Sequence, residues 1–139
     1  MSTKLFNIAL EGVFRKAGLE LNGTIFTKST QLLGFADDVD IVGRNIRSVT
    51  DAYSKMEREA NKIGLRVNED KTKFLMVAAS ERTRKFVGSH LSIGNKRFEV
   101  VNDFVYLGSI ISNNFDTQVE IKRRILAAQR AYFAIRHLL

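Results

Sequence analysis

The sequence predicts a mixed α/β (α+β) fold, in which an antiparallel sheet carries helices on one face and is followed by a C-terminal helix. Three segments repeat apolar residues at steps of three and four, which is typical of amphipathic helices. Between them lie short β-branched and aromatic runs bounded by polar or glycine-containing turns, which is typical of hairpins. The chain has 139 residues, 45% of them hydrophobic, which suffices for one domain with its own core.

The first predicted helix begins at Ser2 or Thr3 and ends at Gly18. Its apolar face is formed by Leu5, Phe6, Ala9, Leu10, Val13, Phe14 and Ala17. A face this wide is expected to pack against a sheet. Because no strand precedes this helix, the sequence suggests a chain cut from a larger protein.

Short strands are predicted next at 24–28, 31–35 and 39–43. The last two flank Asp37 and Asp38, so we expect a hairpin over 31–43 with Ala36 and both aspartates at its tip. Strand alternation places Asp40 on the same side as Asp38. The local spacing alone also fits a solvent-exposed polar turn followed by an exposed aspartate.

A second amphipathic helix is predicted from the stripe Val49, Tyr53, Met56, Ala60 and Ile63. Ser48 with Asp51 resembles a capping box at its start, and Gly64 ends it. Further strands are predicted at 73–79, 91–93, 97–101 and 104–111. The middle two form a hairpin around Gly94-Asn95, and Gly108 marks a bend in the last strand.

The last predicted element is a long helix whose apolar stripe is expected to pack in the core: Ile121, Ile125, Ala128, Tyr132, Ile135 and Leu139. Its other faces are basic. The net charge of +7 lies wholly in the second half of the chain, because residues 1–70 carry ten basic and ten acidic side chains, whereas 71–139 carry twelve and five. Such a cationic surface favours an anionic partner.

Residue types that are absent from the sequence exclude several functions. Without cysteine, the chain has no disulfides, thiol nucleophiles or zinc–thiolate sites, and an intracellular location is favoured. His90 and His137 are far apart and have no metal-ligand spacing. No apolar run approaches the roughly 20 residues of a membrane span, so we expect no membrane partner.

The aspartate pair at the predicted hairpin tip suggests metal chemistry. Adjacent carboxylates repel each other, and a divalent cation relieves this repulsion better than water. Hard oxygen ligands suit magnesium. Two such ions about 4 Å apart can activate an attacking hydroxyl and stabilise a leaving phosphate.

Four segments, taken in order, resemble the reverse transcriptase domain of non-LTR (LINE-type) retrotransposons. They lie at 5–11, 31–38, 64–68 with 71–73, and 104–109. The second contains Phe35-Ala36-Asp37-Asp38, which matches the (Tyr/Phe)-Ala-Asp-Asp motif of that family. The resemblance implies that residues 1–111 form a partial palm, with a primer-grip-like strand at 104–111. Residues 112–139 would begin a basic thumb helix.

The resemblance also implies catalytic roles. Asp37 would be a ligand of the catalytic Mg²⁺ (or Mn²⁺) ions, and Asp38 a secondary ligand. Phe35 would anchor the turn beneath the primer end, where Ala36 is small. The lysine behind the active site, which holds or protonates the departing pyrophosphate, would be Lys71, with Lys73 as the less favoured match.

Nucleic-acid contacts follow from the same resemblance. Tyr106, Leu107 and Gly108 match the turn that positions the growing 3′ end. The thumb helix would grip the backbone through Lys122, Arg123, Arg124, Arg130 and Arg136. The partners would be an RNA template and a DNA primer, with deoxynucleoside triphosphates bound only by a complete domain.

The chain also departs from the family pattern. A strand with another catalytic aspartate, a Gln-Gly block and the fingers would all lie upstream of Met1. We therefore expect the isolated chain to be inactive as a polymerase. The alternatives are a non-catalytic nucleic-acid binder, or a module that associates with itself or with a complementing chain through an open sheet edge.

Overall fold

The computed structural model describes residues 3–19, 30–77, 82, 85, 87–114 and 117–136. These ranges contain both helices and strands, so the predicted mixed α/β class is confirmed. The elements with defined bounds are α1 (Thr3–Lys16), β1 (Thr30–Phe35), β2 (Asp38–Gly43), α2 (Ile46–Lys62), β3 (Lys73–Leu75), β4 (His90–Ile93), β5 (Lys96–Val101), β6 (Asp103–Tyr106), β7 (Ser109–Ser112) and α3 (Thr117–Arg136). The strand predicted at 24–28 lies outside the described residues.

The described strands form small sheets. Strands β1 and β2 make an antiparallel pair, as do β6 and β7. The remaining strands form a three-stranded sheet in the order β3-β5-β4, in which β3 runs parallel to β5. Two compact units result, Met1–Asn68 with Ile93–Asn95, and Glu69–Ser92 with Lys96–Leu139.

The core of the first unit lies where α1 and α2 meet the β1–β2 hairpin. Its buried apolar side chains are Val13, Phe14, Ala17, Leu32, Ala52, Tyr53, Met56 and Ala60. Burial of each larger side chain contributes about 1.5–3 kcal/mol. The apolar face predicted for α1 is therefore buried at its C-terminal end, whereas Leu5 remains 59% exposed.

Helix α2 begins with a cap that the sequence analysis assigned wrongly. The side chain of Asn45 accepts a hydrogen bond of 2.9 Å from the Ser48 amide, so Asn45 and not Ser48 is the N-cap. Asn is as good an N-cap as Ser because its side-chain oxygen reaches the same unpaired amides. The predicted stop at Gly64 is confirmed: its φ is +79°, and the next amide, of Leu65, donates to the Ala60 carbonyl.

Helix α2 also buries a charged residue, which the apolar stripe did not reveal. The side chain of Glu59 is only 7% exposed and accepts hydrogen bonds of 2.8 Å from the Lys62 ammonium at both carboxylate oxygens. The hydrogen bond from Lys62 lowers the pKa of Glu59. A buried carboxylate is tolerated here because it is paired.

The hairpin predicted around Gly94-Asn95 is confirmed as the neighbouring strands β4 and β5. The single bent strand predicted at 104–111 is wrong. Leu107 and Gly108 both have positive φ, of 46° and 84°, and form a two-residue loop between the antiparallel strands β6 and β7. The physical reason is that two consecutive positive φ values reverse the chain, whereas a bend in a strand does not.

The prediction that the apolar stripe of α3 packs in the core is also wrong. Ile121, Ile125, Tyr132 and Ile135 are between 52% and 64% exposed. The hydrogen bonds from α3 to the β6–β7 hairpin lie near the helix start, at Glu120, Arg123 and Arg124, and these four apolar side chains stay largely exposed in the described part of the chain. None of the described helices combines the length and apolar character of a membrane span.

Candidate active site

The β1–β2 hairpin displays the predicted aspartate pair at its tip. Phe35 ends β1 and pairs with Asp38, which begins β2, so Ala36 and Asp37 form a two-residue loop. Ala36 has a φ of +54°, in the left-handed region that favours glycine. The loop is thus a tight two-residue turn, and both aspartates are exposed at its tip.

The two faces of this hairpin differ. Leu32 is 4% exposed, and a side-chain carbon added at Gly34 would lie 3.7 Å from the ring of Phe14, so this face packs on α1. Residues on the other face alternate with these, and Phe35 there is 65% exposed. Asp38 is opposite Phe35 in the register, so its carboxylate belongs to the open face.

The open face carries a second acidic residue beside the turn. Asp40 is opposite Leu33 in the register and shares the face of Asp38, as strand alternation predicted. Asp40 is partly buried rather than fully exposed. Burial raises the pKa of Asp40 above its ordinary value, and the charge of Asp38 raises it further. Asp37, Asp38 and Asp40 lie within four residues, so the turn is a local concentration of negative charge.

The described residues do not assemble a complete metal cage. Within ranges 3–19, 30–77, 87–114 and 117–136, no group of three or more His, Asp or Glu side chains could hold a metal ion. The turn offers the exposed oxygens of Asp37 and Asp38, which are of the type that Mg²⁺ prefers. Their number fits part of a coordination shell, with the remaining positions open to water or substrate oxygens.

The two candidate lysines have different surroundings. Lys73 begins β3 directly opposite Glu99 of β5, and its ammonium is 2.6 Å from a Glu99 carboxylate oxygen. The hydrogen bond from Lys73 lowers the pKa of Glu99. Lys71 lies in the turn before β3 and is exposed. The assignment of the catalytic lysine to Lys71 stays a prediction.

The primer-grip-like residues occupy the tip of the β6–β7 hairpin. Tyr106 ends β6 and is half-buried, while Leu107, the first loop residue, is 54% exposed. The strand prediction missed this turn, which the family resemblance implied at 106–108, and the contact of these residues with a primer stays a prediction. Leucine is rarely found at positive φ, so the residue type gave no turn signal there.

Two of the predicted thumb arginines contact this hairpin. The guanidinium of Arg123 donates to the Gly108 carbonyl at 2.6 Å, and that of Arg124 donates to the Ser109 hydroxyl at 2.9 Å. Both lie near Glu120, at 3.5 and 2.6 Å. Glu120 was missed by sequence reasoning, although its spacing of four from Arg124 is visible as a helical ion-pair signal.

Other basic residues of α3 have a different environment. Lys122 and Arg130 line a shallow surface depression of about 520 Å³ together with Arg123, Leu126 and Ala127. Both are exposed, and neither makes an ion pair with a described acidic residue. They are therefore available to an external anion.

A carboxylate-bearing hairpin tip on a mixed α/β scaffold is the arrangement that the resemblance to polymerase palms implies. Comparison with protein families gives a match to the reverse transcriptase (RNA-dependent DNA polymerase) model over residues 1–111. Since this is most of the chain, the protein belongs to the reverse transcriptase family, as its sequence motifs predicted. The family as a whole uses divalent metal ions and nucleic-acid substrates.

A Caenorhabditis elegans protein described as transposon-derived is 26% identical to this chain over 114 residues. The matched segment covers 82% of this chain and 39% of the relative, so the chain spans well under half of the relative's length. Comparison with solved structures gave no significant match.

Proposed function

We propose that this chain supplies the aspartate turn and the primer-holding hairpin of an RNA-directed DNA polymerase. Such an enzyme adds deoxynucleotides to a DNA primer on an RNA template. The observation that carries the proposal is the Phe35–Asp38 turn, which presents two adjacent carboxylates on the open end of a hairpin. The hairpin packs on α2, and Gly34 on its opposite face lies close to Phe14 of α1, so the base of the turn is held against both helices.

Asp37 and Asp38 would hold the Mg²⁺ (or Mn²⁺) ions. When bound, these ions activate an attacking hydroxyl and neutralise charge on the departing phosphate. Asp37, in the loop, presents its carboxylate beyond the strand ends, whereas Asp38 belongs to the face shared with Asp40. Burial is the main cause of the raised pKa of Asp40, but the charge of Asp38 adds to it, and that charge would also attract a cation.

The other site residues extend this role. Phe35, exposed beside the turn, and the small Ala36 would lie beneath the primer end. Lys71 would neutralise the departing pyrophosphate, because it is the better match to the lysine block of the family. The domain assignment follows, with residues 1–111 as palm and 112–139 as the start of the thumb.

The hairpin residues Tyr106, Leu107 and Gly108 would contact the primer, and Lys122 and Arg130 would contact backbone phosphates. Phosphate contacts of this kind track charge and carry no sequence preference. The relative described as transposon-derived supports an origin in a retrotransposon, for which the motifs favour the non-LTR type. Such an enzyme would work inside the cell.

Paramagnetic Mn²⁺ tests the proposal directly. It should broaden the amide NMR signals of 36–39 in the wild-type chain, and Asp37→Asn should abolish this effect. Asp51→Asn is the matched control, because Asp51 is an exposed aspartate of α2 paired with Lys55 and distant in sequence from the turn. Broadening that survives Asp37→Asn, or that spreads evenly over all acidic residues, would overturn the assignment.

Primer extension on an RNA template with Mg²⁺ or Mn²⁺ is the second measurement. We expect no extension by the isolated chain, since the described residues hold too few metal ligands for two ions. Extension by wild type that disappears in Asp37→Asn would mean that the site is complete, for example through Asp40 or a second copy of the chain.

A further inference from the structure

Glu120 joins helix α3 to the β6–β7 hairpin through one carboxylate oxygen, while its other oxygen pairs with Arg124 of the same helix. One oxygen accepts the backbone amide of Ile110 at 2.8 Å, and the other accepts the Arg124 guanidinium at 2.6 Å. Only 16% of the Glu120 side chain is exposed. The hydrogen bond from the Ile110 amide, followed by that from Arg124, lowers the pKa of Glu120.

The amide of Ile110 makes this contact informative. In an antiparallel ladder, every second amide of a strand points away from its partner strand. The Ile110 amide donates its hydrogen bond to Glu120 of α3. Glu120 therefore covers the outer edge of β7 next to the loop. The junction thus uses a specific backbone group rather than loose contact between surfaces.

Two further bonds complete the junction. Arg123 holds the Gly108 carbonyl and Arg124 holds the Ser109 hydroxyl. Three consecutive hairpin residues, 108 to 110, are therefore each bonded to a side chain of α3. Glu120 in turn orients both arginines, at 3.5 and 2.6 Å.

The loop that this junction holds is strained and displayed. Leu107 has a φ of +46° and is 54% exposed. A leucine keeps such a backbone conformation when its surroundings fix the turn. The bonds on the three following residues provide that fixation, and they leave the exposed side of Leu107 open.

We propose that Glu120 is a positioning residue, which holds the 106–108 turn in place so that the turn can meet the primer end. The inference rests on the proposed function, because it assumes that the turn contacts nucleic acid. It also reassigns Arg123 and Arg124 from phosphate contacts to holding the hairpin. Lys122, Arg130 and Arg136 then remain as the phosphate-binding residues of the helix.

The chain offers a matched control for Glu120. Glu11 of α1 pairs with Arg15 at 2.7 Å, four residues later, as Glu120 pairs with Arg124. Glu11→Ala therefore removes the same charge and the same type of helical ion pair, but it uncovers no strand amide. Comparison of the two variants separates the junction from a general change of charge.

The first measurement is hydrogen exchange of the Ile110 amide by NMR in the full 139-residue chain. We expect exchange to be at least tenfold faster in Glu120→Ala than in wild type, and unchanged in Glu11→Ala. Glu120→Gln should be intermediate, because it keeps an acceptor for the amide but loses the charge that binds Arg124. Equal exchange rates of the Ile110 amide in wild type and Glu120→Ala would show that Glu120 does not hold this amide, and would overturn the inference.

The second measurement uses a primer–template duplex with 2-aminopurine at the primer 3′ end or, as a reference, within the duplex. Glu120→Ala should lose the fluorescence change of the probe at the 3′ end. It should keep the fluorescence change of the probe within the duplex, and its affinity for the duplex should stay within about twofold of that of Glu11→Ala. Glu120→Gln should recover part of the 3′-end signal. If Glu120 only supports the fold, the fluorescence changes of both probes should decrease together, and that result would overturn the positioning role.

Two outcomes keep the inference separate from the proposed function. If wild type does not bind the duplex, the proposed function fails and the positioning role fails with it, while amide exchange still reports whether the junction exists. If Glu120→Ala does not fold, Ser109→Ala tests the same step, because it removes the bond to Arg124 and leaves every charge in place. An unchanged 3′-end signal in Ser109→Ala and Glu120→Gln alike would overturn the inference.

Discussion

Ala36 and Leu107 occupy equivalent places in two different hairpins. Each is the first residue of a two-residue loop, and their φ values are 54° and 46°. For a residue with a Cβ atom, this conformation costs roughly 1–2 kcal/mol. Both loops lie in segments to which the family resemblance assigns contact with the primer, so backbone strain coincides with the proposed function.

Replacing Ala36 by glycine should therefore stabilise the chain. We expect Ala36→Gly to raise the free energy of unfolding by up to about 1 kcal/mol, because glycine adopts positive φ without the Cβ conflict. Urea denaturation followed by circular dichroism measures this change. The control is Ala9→Gly in the middle of α1, which should destabilise by about 1 kcal/mol. A loss of stability in both variants would contradict a strained turn.

For single residues, the sequence predicted the features that depend on neighbours in the chain. The place of Asp37 and Asp38 at a hairpin tip follows from the apolar runs on either side of them. The partners of Lys73 and Glu120 were not predicted, because they depend on which strands and helices lie side by side. Lys73 and its partner Glu99 are 26 residues apart.

Helix α2 and strand β2 meet at Gly43, where there is no room for a side chain. A Cβ atom at this position would lie 2.6 Å from a methyl carbon of Val49 and 2.9 Å from the Ser48 hydroxyl. The absence of a side chain thus allows the start of α2 to approach the end of β2. This contact fixes the orientation of the hairpin that carries the aspartates.

We expect Gly43→Ala to lower the free energy of unfolding by about 1–3 kcal/mol, because the added methyl overpacks the contact. The matched control is Gly12→Ala in α1, where no atom lies within 4 Å of the added carbon. That variant should gain about 0.5–1 kcal/mol, since alanine is the better helix former. Thermal unfolding of both variants measures these changes in stability. Equal changes of the same sign would contradict the close contact of Gly43 with the start of α2.

At the element scale, periodicity predicted the helices and the hairpin at 31–43, yet it gave little information about partners. The stripe of α3 has the spacing of a buried face, but Ile121 and Tyr132 are exposed. Spacing indicates which residues share a face and does not show what covers that face. The strand at 104–111 was misread for a different reason, namely that Leu107 at a turn contradicts the usual preference for glycine or asparagine.

Across the whole chain, ion pairs reduce the number of basic side chains that are available to an external anion. Several cations of the second half are occupied within the chain: Lys73 by Glu99, Lys96 by Glu69, and Arg123 and Arg124 by Glu120. An occupied cation contributes less to binding of an external anion than its formal charge suggests. Net charge alone thus overestimates the number of phosphate contacts.

Lys122 and Arg130 should account for a measurable part of the salt dependence of binding. We expect the double variant Lys122→Ala/Arg130→Ala to reduce the slope of log affinity against log salt by about two, roughly one for each phosphate contact. Fluorescence anisotropy of a labelled primer–template duplex, titrated at several salt concentrations, gives the slope. The control is Arg47→Ala/Arg66→Ala, which removes two exposed arginines from residues 1–70, the half of the chain with no net charge. An equal change in the two double variants would mean that binding follows total charge.

The parallel pairing of β3 with β5 has a consequence for the order of folding. Strands β4 and β5 are joined by a short turn and can pair within microseconds. Strand β3 is parallel to β5, so it must wait for β5 and must close a much longer stretch of chain. Of the three strands in this sheet, the one that leaves the ribosome first is therefore the last to take its place.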